Sequence, residues 1–337
     1  MALVNIAKDD TKPLFIDASD ITALQIVEAG KEIIIYNGQG RLLHAGVQDW
    51  NLDVADVVSK LENSGAPLLP FTTSHQDKTY SFYIAPSAVT YATVTLPGKD
   101  GTVGAIVGVR GMGRAETWDG GMAQGEFDNL IAAVRKTKTL FEYKPEVAYS
   151  RWYNPAVLYI DPASVVRMRG SFNYDQIDVS FDNSGSLDVQ VAYHNQFDPK
   201  TSFEQKAVDI YNDKKYTGPH KGMAAINDIL EQLRKEAFQT RVDFVGKIAA
   251  ANSDLLDIST QTQAAFLMSE DIGMVSFYEA RDSNAPGLYI RSQEKQGGSL
   301  GETFSLEFNT AAERESTLAV LLQGKAPKAK TKPGLKP

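Results

Sequence analysis

The 337-residue sequence contains no cysteine. That excludes disulfides, thiolate nucleophiles and every Cys-ligated zinc or iron–sulfur site, and makes a reducing, cytoplasmic setting the natural expectation. Only four histidines occur, His44, His75, His194 and His220. No two of them stand three or four residues apart, so a helical HExxH zinc site is excluded. The sequence has no GxxxxGK[ST] phosphate loop. Gly108-Val-Arg-Gly-Met-Gly-Arg114 has the composition of a glycine-rich phosphate loop. It lacks the strand-to-helix context and the acidic partner about 20 residues on that dinucleotide binding needs. No run approaches 18 apolar residues, so no membrane span is expected. The opening MALVNIAKDDTKPLF has neither a basic region nor an apolar core of the signal-peptide kind. The 42 Asp and Glu are dispersed and nominate no acid–base pair. No catalytic residue, metal ligand, cofactor or small-molecule substrate is assigned, and the chain is expected not to be an enzyme.

What the sequence does have is internal repetition. Four segments share an aromatic, an aliphatic, a small or proline residue at the fourth position and Ile or Val at the seventh: Phe15–Ile21, Tyr83–Val89, Tyr159–Val165 and Phe266–Ile272. Each reads as a strand that ends, turns on a Pro/Ser/Asp cluster and restarts as a second strand. Further β-alternation follows each one, then an amphipathic helix. The first unit carries a hairpin signal at Asn37-Gly38 and a helix over 52–62 with Asn51 as N-cap. The second predicts a helix over 126–138. The third pairs Ile177, Val179 and Phe181 with Val189, Val191 and Tyr193 across the turn Asp182–Gly185, and predicts a helix over 222–238. The fourth predicts a helix over 310–323 after Asn309 as N-cap, stopping at Gly324. The third unit carries an insertion, 194–221, with a short helix near 203–211.

The expected fold class is α+β, with four diverged β-meander-plus-helix repeats forming mainly antiparallel sheets. Paired, they give a first half at 1–145 and a second at 146–323. Residues 324–337, GKAPKAKTKPGLKP, hold five lysines (Lys325, Lys328, Lys330, Lys332 and Lys336) and no acid. Such a segment cannot bury enough apolar surface to offset its ordering entropy, so it is expected to be an unfolded basic arm. The net charge of −8 for the chain therefore rests on a body of −13.

Four further places interleave cations with aromatics, the composition that neutralises phosphate while stacking bases. They are Arg110, Arg114 and Trp118; Arg151 and Trp152; Arg167, Arg169, Phe172 and Tyr174; and Lys214, Lys215, Tyr216 and Lys221. With the lysine arm they nominate a nucleic-acid-binding surface. Read singly, each cluster is better explained as an ordinary core aromatic beside an arginine that pairs a carboxylate.

Curved antiparallel sheets, each followed by a helix and duplicated within a domain, resemble the Whirly family of single-stranded nucleic-acid-binding proteins. The resemblance implies a pinwheel of two sheets and two helices in each half, with nucleic acid running across sheet edges and hairpins. Lys221-Gly-Met-Ala-Ala225 is similar to that family's KGKAA signature, but here it opens a helix where the family has a strand, so its role is not carried over. The chain is also similar to the nucleus-associated RNA-binding proteins of nucleus-forming jumbo phages. That implies a phage-encoded protein in an infected bacterial host, condensing with RNA at the phage nucleus. Two readings stand: a binder of single-stranded RNA, or of DNA, and a self-associating assembly protein with no nucleic-acid role.

Overall fold

In the computed structural model the four aromatic-led segments adopt one local structure: a strand, a three-residue 3-10 turn, then a second strand. The turns are Ala18–Asp20, Pro86–Ala88, Pro162–Ser164 and Ser269–Asp271. Proline at the first turn position supplies a preset φ without losing a needed donor. Asp17 and Asp161 cap their turns by accepting the N–H of Ser19 and Ala163. The residues flanking each turn are extended, so the chain bends but does not double back. The structure describes residues 3–8, 12–27, 30–65, 67–75, 78–116, 121–145, 156–172, 175–182, 184–195, 197–279, 285–292 and 303–324. Over these the protein is α+β, with five helices and antiparallel sheets of two to five strands, none closed.

Two compact units divide the chain. The first comprises 1–165 and 179–193, the second 166–178 and 194–337. The first unit opens with the hairpin β1 (Leu3–Asn5) and β2 (Phe15–Asp17). Then come β3 (Ile21–Val27), β4 (Glu32–Asn37), β5 (Gly40–Gly46), helix α1 (Val54–Asn63), β6 (Leu69–His75) and β7 (Lys78–Ile84), in a sheet ordered β5-β4-β3-β7-β6. The next sheet uses β8 (Val89–Val94), β10 (Ala105–Val109), β11 (Gly113–Glu116), helix α2 (Gln124–Thr137), β13 (Phe141–Tyr143) and β14 (Val157–Ile160). Its order is β11-β10-β8-β14-β13. A small ladder joins β9 (Thr102–Val103) to β12 (Met122–Ala123). Both large sheets therefore read 3-2-1-5-4, with the helix between the third and fourth strands. The fifth strand belongs to the next aromatic-led segment, so each segment closes one sheet and starts another.

One continuous core, including Leu24, Ile33, Ile35, Leu61, Phe71, Val107, Phe127 and Leu130, fills this unit. α1 buries Val57, Val58 and Leu61, and α2 buries Phe127, Leu130, Ile131 and Val134. α1 starts two residues later than the sequence predicts. Asp53, not Asn51, is its N-cap, accepting the N–H of Asp56, while Asn51 takes a left-handed φ of 47° in the turn before it.

The chain continues as β15 (Val165–Ser171), β16 (Gln176–Phe181) and β17 (Gly185–Gln190). From this stretch, residues 179–193 belong to the first unit, where the Phe181 ring stacks on Tyr91 at 4.7 Å and Ser184 shares a hydrogen bond with Thr90. Helices α3 (Phe203–Asn212) and α4 (Met223–Ala250) follow, then β18 (Leu255–Asp257) and β19 (Gln263–Met268). In the second unit β15, β19 and β18 lie side by side, the same 1-5-4 order as before. β20 (Ile272–Glu279), β21 (Pro286–Ser292) and β22 (Thr303–Glu307) form a three-stranded meander, and α5 (Ala311–Gly324) follows it. Its core joins Leu267, Ile272, Leu288, Ile290, Leu306 and Leu321.

α4 runs twelve residues past the predicted end at 238. The periodicity is broken there by Arg241, which occupies an inward position of the stripe Ala237, Arg241, Phe244, Val245 and Ile248. α5 is capped by Thr310 rather than Asn309. The Thr310 hydroxyl accepts the Glu313 N–H, and the Glu313 carboxylate accepts the N–H groups of Asn309 and Thr310.

The third turn is tied to α2 by a buried pair. Lys138, which ends α2, donates to Asp161 at 2.7 Å and to the carbonyl of Val89 at 2.9 Å. Asp161 also accepts from the Ser164 hydroxyl at 2.6 Å and the Ala163 N–H at 3.1 Å. Removing one partner of such a pair leaves the other charge buried and uncompensated. Lys138→Met should therefore lower stability by about 3 kcal/mol, read as a shift in the urea midpoint at unchanged slope.

Candidate nucleic-acid interface

The glycines of Gly108–Arg114 are explained by packing. β10 and β11 pair with Val109 opposite Gly113 and Gly108 opposite Arg114. A Cβ at Gly108 would overlap the Tyr91 ring, and one at Gly111 would overlap the Asn37 carbonyl. Gly111 and Gly113 also take left-handed φ values of 78° and 93°, which L side chains rarely adopt. The run is thus a tight hairpin whose turn seats against the β4–β5 turn, where the Asn37 carboxamide accepts the N–H groups of Gln39 and Gly40.

This hairpin places Arg110 and Arg114 on either side of its tip. Arg110 Nε lies 4.0 Å from the Asp182 carboxylate and makes no hydrogen bond among the described residues. The Arg114 side chain is 61% exposed and pairs with the buried Glu116. Tyr91 lies within the field of both. Burial pushes its phenol up to about 12, with Arg114 pulling down and Glu116 pushing up more weakly. Trp118, which the sequence groups with these arginines, lies outside the described residues, as do Arg151, Trp152, Tyr174 and the five lysines of the tail.

The third cluster turns inward. Arg167 is only 6% exposed and lies 3.6 Å from Asp178. Arg169, two residues along the same face of β15, is half-buried. The Phe172 ring meets Phe238 edge-to-face at 5.7 Å, and its carbonyl accepts from Arg241 at 3.3 Å. The ring is therefore engaged by α4. Sequence reasoning missed Arg241, which is 2% exposed and lies 3.6 Å from Asp175. Burial lowers the pKa of Arg241 and raises that of Asp175. The only signal for this residue was the gap it makes in an apolar stripe.

The α3–α4 connection exposes Lys214, Lys215 and Lys221. Lys214 has a left-handed φ of 55°, and Lys215 pairs with Asp213 at 2.9 Å. The Tyr216 hydroxyl donates to Asp228, which also meets His220 Nδ1 at 2.6 Å. These bonds hold the Asp228 carboxyl below its ordinary range, with Tyr216 the larger cause. No local pattern joins Tyr216, His220 and Asp228; the α3–α4 connection does, by meeting the first turns of α4.

Among the described residues no three His, Asp or Glu side chains converge to hold a metal, and no helix is long and apolar enough to cross a membrane. Of the nominated cations, the structure brings Arg110 and Arg114 together, and Lys214, Lys215 and Lys221 along one connection. Compared with protein families, curated proteins and solved structures, the chain finds no match.

The environment of Tyr91 has a pH consequence. Its phenol ionises near 10.0 in the unfolded chain and near 12 when folded. The unfolded state thus loses its proton first, and stability present below pH 10 falls as the pH rises towards 12, by up to about 3 kcal/mol. Tyr91→Phe should remove that share of the alkaline loss. The check is the wild-type-to-mutant difference in urea midpoint at pH 8 and at pH 11.5.

Proposed function

We propose that the protein binds single-stranded nucleic acid, RNA in preference to DNA, and catalyses no reaction on it. The observation that carries this reading is the β10–β11 tip, where Arg110 stands in the three-residue turn and Arg114 on the edge strand β11. Among the described residues Arg110 is held by no close pair, while Arg114 pairs with the buried Glu116 and keeps most of its own side chain exposed. Arg110 sits beyond hydrogen-bond distance from Asp182, and the exposed Arg114 faces water. Exposed ion pairs contribute about 0–1 kcal/mol, so a phosphate can take the place of the Asp182 carboxylate beside Arg110 at little cost, and an arginine fork matches it bidentately.

The body charge of −13 repels a polyanion at a distance, but screening confines that repulsion to about 8–10 Å at physiological salt. Binding then depends on local contacts: the hairpin arginines, the lysines of the α3–α4 connection and the five lysines of the tail. Arg167 is assigned to the fold, because its guanidinium is withdrawn from solvent. The similarity to jumbo-phage nucleus-associated proteins makes RNA condensation in an infected host the cellular setting of this proposal.

The test is fluorescence anisotropy with a labelled 30-mer RNA across roughly 50–200 mM salt. Arg110→Ala with Arg114→Ala should lower affinity and flatten the slope of log K against log salt by about 1.4, and deletion of 325–337 by about 3.5. No binding by the intact chain at the lowest salt would overturn the proposal.

A further inference from the structure

Among the described residues the strand order leaves two incomplete sheets, one near each end of the sequence. β1 and β2 occupy the places of a fourth and fifth strand: β2 is the first strand of an aromatic-led segment, as β7, β14 and β19 are. β20, β21, β22 and α5 occupy the places of the first three strands and the helix, and among the described residues no strand pairs with the outer edge of β20. What one end lacks, the other end supplies.

The register is equally specific. In each of the three observed junctions, the second residue of one segment faces the second residue after the preceding segment: Ile84 opposite Ala23, Ile160 opposite Tyr91, Leu267 opposite Arg167. Just before that position the meander of the first, second and fourth copies carries the same one-residue bulge, at Thr22, Thr90 and Gly273. The rule places Ile16 opposite Met274, and Phe15 opposite Val275.

Exposure singles out the same positions. Ala23, Tyr91 and Arg167 are buried where a fifth strand is present, whereas Met274 is 48% exposed. Tyr83, Tyr159 and Phe266 are half-buried, whereas Phe15 is 58% exposed. Leu3, Phe277 and Tyr289, on β1, β20 and β21, are also exposed. An apolar edge strand left open is a template for another chain.

The geometry points to head-to-tail self-association, in which β2 of one copy pairs antiparallel with the outer edge of β20 of a second copy. The joined sheet then reads β22-β21-β20 followed by β2-β1 of the other copy, the same 3-2-1-5-4 order. The two surfaces differ, so the contact is heterologous, and copies add until a ring closes or a filament grows. This inference is independent of the nucleic-acid proposal, and its test uses no nucleic acid.

In sedimentation the intact chain should run at a multiple of 36.9 kDa. Phe15→Asp and Met274→Asp, both at exposed positions, should each run at 36.9 kDa with Tm unchanged. The chain has no native thiol, so a mixture of Ile16→Cys and Met274→Cys copies should oxidise to a two-chain species. Ile16→Cys mixed with Val275→Cys, which faces the other side of the sheet, should crosslink poorly. The proposal is overturned if the intact chain sediments only at 36.9 kDa. It is also overturned if an oligomer survives both aspartate variants, or if a chain carrying both cysteines closes only on itself.

Discussion

The architecture depends on a bend that does not reverse. A strand followed by three residues of 3-10 turn, with extended backbone on both sides, cannot fold back on itself as a hairpin. Its two strands must enter different sheets. Each aromatic-led segment thereby completes the sheet begun before it and opens the next, and neighbouring repeats are interlocked by backbone hydrogen bonds as well as by side-chain packing. The buried Lys138–Asp161 pair secures one such bend to the preceding helix, at the cost of two desolvated charges that must stay together.

The same constraint decides where arginines become structural. Position nine of the repeat, counted from its leading aromatic, lies against a neighbouring strand, and the residues there are Ala23, Tyr91 and Arg167. An arginine at such a place is drawn into the sheet and pairs with the Asp178 carboxylate nearby. Arg241 is withdrawn in the same way on α4. Arg110 lies in a hairpin turn and Arg114 on the edge strand β11, where among the described residues no further strand covers them. The contrast separates cations drawn into the fold from cations left nearer its surface, a distinction that residue type alone does not carry.

Glycine illustrates a related ambiguity. Gly108, Gly111 and Gly113 have the composition of a phosphate-binding loop, and each has a packing reason instead: room for the Tyr91 ring, close approach to the Asn37 carbonyl, and left-handed backbone. The hairpin they allow is the one that displays the two arginines. Structural need and display of charge therefore coincide in one short segment.

The sequence by itself determined the α+β class, because period-2 and period-3.6 patterns are local and the aromatic-led segments are short enough to read directly. It also placed the helices, α1, α2, α3 and α5 to within two residues at either end, and missed only the second half of α4. Arg241 and Asp175 lie far apart in the chain, and a charged residue on an inward stripe reads as the end of a helix until its partner is in place. Tertiary structure alone decided the exchange of strands between successive segments, since the identity of a strand's neighbour depends on chain path and not on the strand's own residues. It alone separated buried Arg167 from exposed Arg114, two arginines with similar local surroundings in sequence. Among the described residues it also left β2 and β20 each with an edge that no strand covers, which no residue pattern announces, because an edge is defined by the strand that is missing beside it.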